Sequence, residues 1–446
     1  MHFKIKRKMF CKKYRLILAL SACLYQLSLK AQEQQLTLPQ LFSKVETHSK
    51  EIALEQLKLQ LAETKIKQAK SNQLPTLSFS ASIRHATNMP VYVNGILHKP
   101  AQHDIIHTLY NTETNLYMNL FDGFKLKNEI KLAKILSDIS VTDKEKLISL
   151  TKLKATNLFI DLHLQYQWKT TMQNDIAEKE HQLSEIKNIY KAGIILESDV
   201  LRTELELSKR KMTLTEIENS IIVLQQQINV LTGEDDKTII EPEIAPIEEE
   251  TTALSVDDYI EIALEKGYDA ELSEQHTQVA ETKLKLDKGN YYPKIGLIGS
   301  FQFANPQVFL YNYNPNWYSL GLVGLQASYD ISSIYHNKHQ VQEAKIELSS
   351  AQLHHQFTND NIRTRIYKAY YEYDESLKHE KVFEQNLQYA NENARILKNA
   401  YFNQTALITD LLDANLLQVQ AQFELEQSKM NILKSYYSLK YETGTL

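Results

Sequence analysis

Apolar positions in this chain follow two periods. Leu207, Leu214, Ile221 and Ile228 stand seven residues apart, and Ile217, Leu224 and Leu231 make a second seam beside them. Spacing of this kind packs helices side by side as coiled coils. Leu425, Ile432 and Leu439 repeat the pattern near the C-terminus. Leu38 to about Asn72 also reads as helix, stopped by Pro75, whose ring cannot continue the helical ladder. Phe124 to Tyr190 predicts one helix of 67 residues, about 100 Å at ~1.5 Å per residue. Segments 39–72 and 195–231 hold 34 and 37 residues, about 51 and 55 Å. Two short helices stacked end to end would match one long helix. A tall helical cylinder could be built that way, with strands at one end and the turn at Gly193 at the other.

Between the helices the period falls to two. Leu77, Phe79, Ala81 and Ile83 alternate with Ser78, Ser80, Ser82 and Arg84, the pattern of a strand with one apolar and one polar face. Asn115, Tyr117 and Asn119 alternate with Leu116, Met118 and Leu120 in a returning strand. Ile295, Leu297, Gly299, Phe301 and Phe303 predict a third strand, and a fourth around Tyr318 to Tyr329 alternates less cleanly. Pro90 to Pro100, carrying Asn94-Gly95, reads as an external loop with its own tight turn.

The second half repeats the first. An offset of 218 carries Ala62-Glu63-Thr64-Lys65 to Ala280-Glu281-Thr282-Lys283, and Pro75 to Pro293. Further on an offset of 211 carries Ala133-Lys134 to Ala344-Lys345, Tyr190 to Tyr401 and Asp199 to Asp410. One structural unit is therefore used twice. The expected organisation is a leader over 1–31, a first repeat over 32–233, an acidic linker over 234–253 with Pro242, Pro246 and Glu248-Glu249-Glu250, and a second repeat over 254–446. Each repeat reads as helix, two strands, long helix, turn, helix.

Only 11 Gly and 9 Pro punctuate 446 residues, which suits long uninterrupted helices. The N-terminus is basic, then apolar from Leu16 to Leu29, with Ala31 before Gln32, as in an export signal. Leu20-Ser21-Ala22-Cys23 also fits a lipobox, so cleavage after Ala31 and lipidation at Cys23 are both open. The leader holds eight Lys or Arg and no acid, so the formal net charge of −5 becomes about −13 without it. Such a balance disfavours nucleic acid or an anionic membrane surface as partner. Cys11 and Cys23 are the only cysteines, so the mature chain has no disulfide and no thiolate metal site. His98, His103 and His107, and His336, His339, His354 and His355, lack tight ligand spacing, and solvated histidines are the expectation. No Ser-His-Asp set, P-loop or paired-carboxylate site stands out. Neither an enzyme nor a cofactor is expected.

After the leader no apolar run reaches the ~18–20 residues of a spanning helix. Strands of ~9–11 residues, by contrast, suit a tilted outer-membrane crossing. Tyr110, Tyr117, Tyr291, Tyr292, Trp317 and Tyr318 fall near strand ends, where an interfacial aromatic girdle would sit. Four strands cannot close a barrel, and unpaired strand edges are not tolerated in lipid. Several copies must then share one barrel. The competing reading is a soluble α+β protein whose strands cover a helical bundle.

With these residues in view, the chain resembles the TolC-type outer membrane efflux proteins over essentially all of its mature length. The resemblance rests on Tyr190-Lys191-Ala192-Gly193 through Ser198-Asp199-Val200-Leu201, on Leu231-Thr232-Gly233, and on Thr409-Asp410-Leu411-Leu412-Asp413-Ala414. Phe121-Asp122-Gly123 and the terminal Gly444-Thr445-Leu446 add to it. It implies a mainly α fold with a small transmembrane β part: an internally duplicated long-helix coiled-coil barrel, plus four strands per protomer entering a trimeric twelve-stranded β-barrel. It implies a passive channel in the outer membrane, extending into the periplasm and embedded in outer membrane lipid. Such a channel serves tripartite efflux or type I secretion, docked to a periplasmic adaptor and an inner-membrane pump. The alternative, of another class, is a soluble periplasmic coiled-coil scaffold or binding protein without a pore.

The resemblance also assigns roles. Asp410 and Asp413 are three apart, on one helix face, and match pore-facing positions near the narrow periplasmic end. Three copies would give two carboxylate rings favouring cations. Read without the family, Asp410 simply helps cap a helix start. Asp199 and Tyr401 match positions that tie the closed entrance together. Ala406 stands where studied members carry a basic residue, so a charge link from Asp199 to that place is absent. The turns containing Gly193, Ile194 and Ser198, and Asn403, Gln404 and Thr405, are the expected adaptor-docking tips. Gly193 supplies a left-handed turn residue. The second copy has Gln404 there, and Asn403 is the expected substitute.

Overall fold

The computed structural model describes residues 34–103, 105–244, 254–307 and 315–446. The leader with Cys23 and Ala31, and the acidic run Glu248-Glu249-Glu250, lie outside the described residues. A short strand β1 (Gln34–Thr37) precedes helices α1 (Leu38–His48) and α2 (Lys50–Ser71). Then come β2 (Thr76–His85), a small hairpin of β3 (Met89–Val91) and β4 (Ala101–His103), β5 (Thr108–Phe121) and the long α3 (Lys125–Lys191). Helix α4 (Glu197–Thr232) and strand β6 (Ile240–Glu243) follow. The order then repeats as α5 (Val256–Lys266), α6 (Tyr268–Gly289), β7 (Lys294–Asn305), β8 (Tyr318–Ser328), α7 (Ser333–Phe402) and α8 (Ile408–Glu442).

Two breaks in the helices were not visible in the apolar pattern. The helix read across Leu38 to Asn72 is interrupted at Ser49, whose ψ of 122 is extended; Gly267, 218 residues on, has ψ 131 and separates α5 from α6. At each break the backbone N–H donates to the carbonyl four residues back, Val45 or Ala263, at 3.0 Å. The first helix is thus closed by its own last hydrogen bond. The apolar period continues across the break, so periodicity does not register it. Strand β6 falls in the expected linker and pairs in parallel with β1.

The chain forms two compact units, and α3 and α7 contribute residues to both. One unit takes residues up to 54, 145–267 and 361–446. Its core includes Leu41, Phe159, Leu162, Met172, Ile186, Ile228 and Leu411. The heptad seams of α4 behave as their spacing requires: Leu207, Ile217, Ile221, Ile228 and Leu231 are buried, and Leu214 and Leu224 pack half-buried against them. Each such buried side chain contributes about 2 kcal/mol. The other unit takes 55–144 and 268–360. It holds a four-stranded sheet and a small cluster of Leu284, Val341 and Ala344 with Tyr291 and Leu348.

The helix-to-helix turns differ from expectation at one residue. Gly193 adopts φ 75, and in the second copy Gln404 itself adopts φ 62, so Asn403 does not serve as the substitute. The Gln404 N–H donates to Tyr401 and the Thr405 N–H to Ala400, both at 2.9 Å. These bonds close the turn and hold the glutamine in the left-handed region. A side chain there costs about 1 kcal/mol relative to glycine. Gln404→Gly should therefore stabilise each copy by about 1 kcal/mol in thermal unfolding; an unchanged or lowered midpoint would show that the turn carries no strain.

Candidate functional site

In the sheet-bearing unit the strand order is β2-β5-β7-β8, antiparallel throughout. The central β5–β7 pairing joins the two repeats. Residues opposite one another in such a ladder share a face, so the register sorts all four strands. One face carries Leu77, Leu116, Gly299 and Val323 in one row and Phe79, Thr114, Phe301 and Gly321 in the next. The other carries Ser78, Asn115, Ser300 and Leu322, then Ser80, Glu113, Gln302 and Leu320. Gln302 Nε2 donates to Asn111 Oδ1 across this polar face at 2.8 Å. Leu320 and Leu322 on the polar side explain why the fourth strand alternates poorly.

The apolar face is uncovered in a single copy: Leu77 is 71%, Phe79 72% and Val323 85% exposed. Aromatic clusters sit at both ends of the sheet. Trp317 stacks on Phe303 with centroids 4.9 Å apart and lies 5.5 Å from Tyr110. At the opposite end Phe121, Phe124 and Tyr292 meet edge to face at 5.3 to 6.4 Å. Eight strand steps from Ile295 to Phe303 cover about 27 Å at ~3.4 Å each, close to the ~25 Å band of a tilted outer-membrane strand. Among the described residues, β2 and β8 each have one edge without a strand partner. No described helix is long and apolar enough to cross a membrane.

The external loop between β2 and β5 forms the tight turn read from Asn94-Gly95: β3 and β4 pair, and Gly95 takes φ 94. Where β5 passes into α3, Asp122 Oδ2 accepts from the Leu126 N–H at 3.1 Å and from Asn119 Nδ2 at 2.9 Å. Gly123 makes this passage possible. Its φ is 74, and a Cβ there would lie 2.3 Å from the Gly289 carbonyl oxygen and 2.9 Å from Tyr292 Cβ.

In the helical unit, Asp410 and Asp413 are both exposed, while Leu411, Ala414 and Asn415 on the same helix are buried. Asp410 Oδ2 accepts from the Leu407 N–H at 3.1 Å, so the capping reading is geometrically real and leaves Oδ1 free of it. Tyr401 is buried, and its hydroxyl has no hydrogen-bond partner among the described residues. Burial, and after it the charge of Asp199, raises this hydroxyl above the ordinary tyrosine range. The structure therefore brings Asp199 near Tyr401 without a hydrogen bond between them. Asp199 Oδ1 instead accepts from Ser198 Oγ at 3.5 Å.

An ion pair that no spacing could suggest joins α7 to α3. Lys398 Nζ donates to Glu178 Oε1 at 2.9 Å, across 220 residues of sequence. This bond holds the Glu178 carboxyl below its ordinary range. Next to it Asp175 pairs with Arg210 at 3.2 Å, and Lys179, 5% exposed, donates to Gln182. Burial pulls the Lys179 ammonium down to about 8 and pushes the Asp175 carboxyl up. The two turns also expose matched apolar residues missed in the sequence: Leu196 at 72% and Leu407 at 69%, each the residue just before its helix. The 211-residue offset that relates Asp199 to Asp410 relates these leucines as well. Among the described residues no group of three or more His, Cys, Asp or Glu could hold a metal ion.

The family model described as outer membrane efflux protein matches residues 41–234 and 260–445. No curated protein matches the chain. Among solved structures, CusC aligns with a TM-score of 0.78 at 12% identity, covering 91% of this chain and 92% of its own. VceC, an outer membrane protein of Vibrio cholerae, aligns at 0.73 and 16%, covering 91% and 96%. The Campylobacter jejuni outer membrane channel CmeC aligns at 0.71 and 14%, covering 92% and 85%. At these identities the likeness is one of fold.

Proposed function

Since the chain belongs to the outer membrane efflux protein family, we propose that three copies close one barrel and form a passive conduit through the outer membrane, docked in the periplasm to an adaptor and an inner-membrane pump. The family consists of efflux channels rather than enzymes, and its channels are trimers that work in tripartite assemblies. The observation that carries the reading for this chain is the four-stranded sheet, with one bare apolar face and two open edges. In lipid those edges must be paired, and neighbouring copies supply the pairing. The same face speaks against a soluble scaffold, which would expose contiguous apolar surface to water. Purified protein in planar bilayers should give discrete conductance steps; a well-folded preparation that conducts nothing would overturn the reading.

Within it, Asp410 and Asp413 form carboxylate rings at the periplasmic constriction. The exposed Ile194, Leu196 and Leu407, with Gly193, Ser198, Asn403, Gln404 and Thr405 around them, form the adaptor-docking tips. The closed entrance is held by Tyr401 with Asp199, and by Glu178 with Lys398 in place of the contact that Ala406 cannot make. The Lys398 and Glu178 side chains are 43% and 56% exposed, so each pair is individually weak and three act together. Lys398→Glu should raise the open probability in bilayers, and adding Glu178→Lys should return it toward wild type. Equal open probability in all three proteins would remove this pair from the gate.

A further inference from the structure

In the helical unit, where α3 meets α4 and α7, charges are buried in unequal number. Two carboxylates, Asp175 and Glu178, face three cations: Lys179 on the same helix, Arg210 of α4 and Lys398 of α7. Both carboxylates are already taken. Asp175 pairs with Arg210 at 3.2 Å and Glu178 with Lys398 at 2.9 Å. Lys179 is left over, and it is 5% exposed in a single copy. An ammonium has three N–H donors to place. Among the described residues its hydrogen bond goes to a neutral acceptor, Gln182 Oε1, at 3.2 Å. Gln182 is itself 3% exposed. A buried cation without a carboxylate partner is costly.

A neutral amine suits this place better. It balances the charges at two against two, and it carries a lone pair. The Gln182 Nε2 group is buried without an acceptor, and turning the amide over lets it donate to that lone pair. The electrostatics agree with the geometry. Burial, and after it Arg210 and Lys398, outweighs Asp175 and Glu178 and brings the Lys179 ammonium to about 8. We propose that Lys179 is a pH-sensitive brace: its ammonium keeps α3, α4 and α7 loosely packed, and the neutral amine formed as the medium turns alkaline lets them close. The charged form also draws on Glu178 in competition with Lys398, so the brace acts on the α3–α7 contact. The inference deepens the channel reading, which places that contact at the entrance. Its test reads unfolding rather than conduction, so the two can fail separately.

The sign follows from linkage. The unfolded chain keeps this proton to the ordinary value of 10.5, the folded chain only to about 8. Below about 8 both states hold it, and the contribution of Lys179 is constant; from there to 10.5 the unfolded state binds more protons and stability rises with pH. The full mature chain in detergent is melted at a series of pH values as wild type, Lys179→Met and Lys179→Arg. Methionine keeps the length and removes the charge. At about pH 7 Lys179→Met should melt several degrees above wild type, and by about pH 10 the gap should close or reverse. Lys179→Arg carries a charge that is not lost in this range, so it should show no alkaline gain and fall behind wild type as pH rises. Tyr401 and Tyr437, whose hydroxyls burial raises, titrate alike in all three proteins and cancel in the differences. A gap between wild type and Lys179→Met that does not change with pH overturns the proposal. So does Lys179→Met melting below wild type at neutral pH, or an alkaline gain in Lys179→Arg equal to that of wild type. If the arginine variant does not fold, the methionine profile decides alone.

Discussion

Replacing Asp410 and Asp413 together should strip the channel of most of its cation preference and weaken block by a trivalent cation by on the order of tenfold or more. In the proposed trimer, three copies would bring six carboxylates to one constriction. A trivalent ion gains from all of them at once, so the loss compounds. The choice of substitution matters, because Asp410 also accepts the Leu407 N–H at the start of α8. Alanine removes both charge and cap, and the lost cap costs about 1 kcal/mol. Asparagine keeps an acceptor of the same shape and removes only the charge. The Asp410→Asn, Asp413→Asn protein should therefore lose selectivity while melting close to wild type. Reversal potentials in a salt gradient read the first effect and thermal unfolding the second. Unchanged selectivity in a folded double variant would take both residues out of the pore.

Gly123→Ala should be among the most damaging single methyls in the described chain. A Cβ at this position meets the Gly289 carbonyl oxygen at 2.3 Å and Tyr292 Cβ at 2.9 Å, and the φ of 74 is one that side chains avoid. The strained dihedral alone costs about 1 to 2 kcal/mol. The clash adds more, because its main contact is backbone and cannot rotate away. A total of several kcal/mol is expected, at the point where Asp122 caps α3 and Phe121, Phe124 and Tyr292 interlock. Outer membranes should contain little folded oligomer of this variant. Gly95 provides the comparison: its φ is 94, but nothing lies within 4 Å of a Cβ there. Gly95→Ala should cost only the dihedral, and folded yield should remain near wild type. Equal yields for the two variants would refute the close-approach argument.

Much of this fold could be read from residue pattern because its helices and strands obey simple periods. Leu207, Ile217, Ile221, Ile228 and Leu231 are buried as their heptads require. The apolar side of β2, read from Leu77 to Ile83, continues across all four strands by register. The duplication was legible because its offsets are constant. What escaped had local or long-range causes. Ser49 and Gly267 break helices through backbone angles that leave the apolar period untouched. Gln404 takes a left-handed conformation because the turn's hydrogen bonds demand it, although asparagine next to it is intrinsically better suited. The Glu178–Lys398 pair spans 220 residues and follows no spacing rule. The pairing of β1 with β6 joins the start of the described chain to a segment that composition marks as linker.

The account depends on neighbouring copies completing a shared wall, and the open edges of β2 and β8 provide the most direct measurement. The only natural cysteines, Cys11 and Cys23, precede the described residues. One cysteine at Ala81 on β2, combined with single cysteines scanned from Ser319 to Leu325 on β8, reports whether these edges meet between copies. Disulfides form only where Cα atoms approach within ~7 Å. At one or two scan positions, oxidation in membranes should yield a ladder of dimer and trimer that ends at three copies. Monomer at every position, or bridges confined within single chains, would contradict the shared barrel.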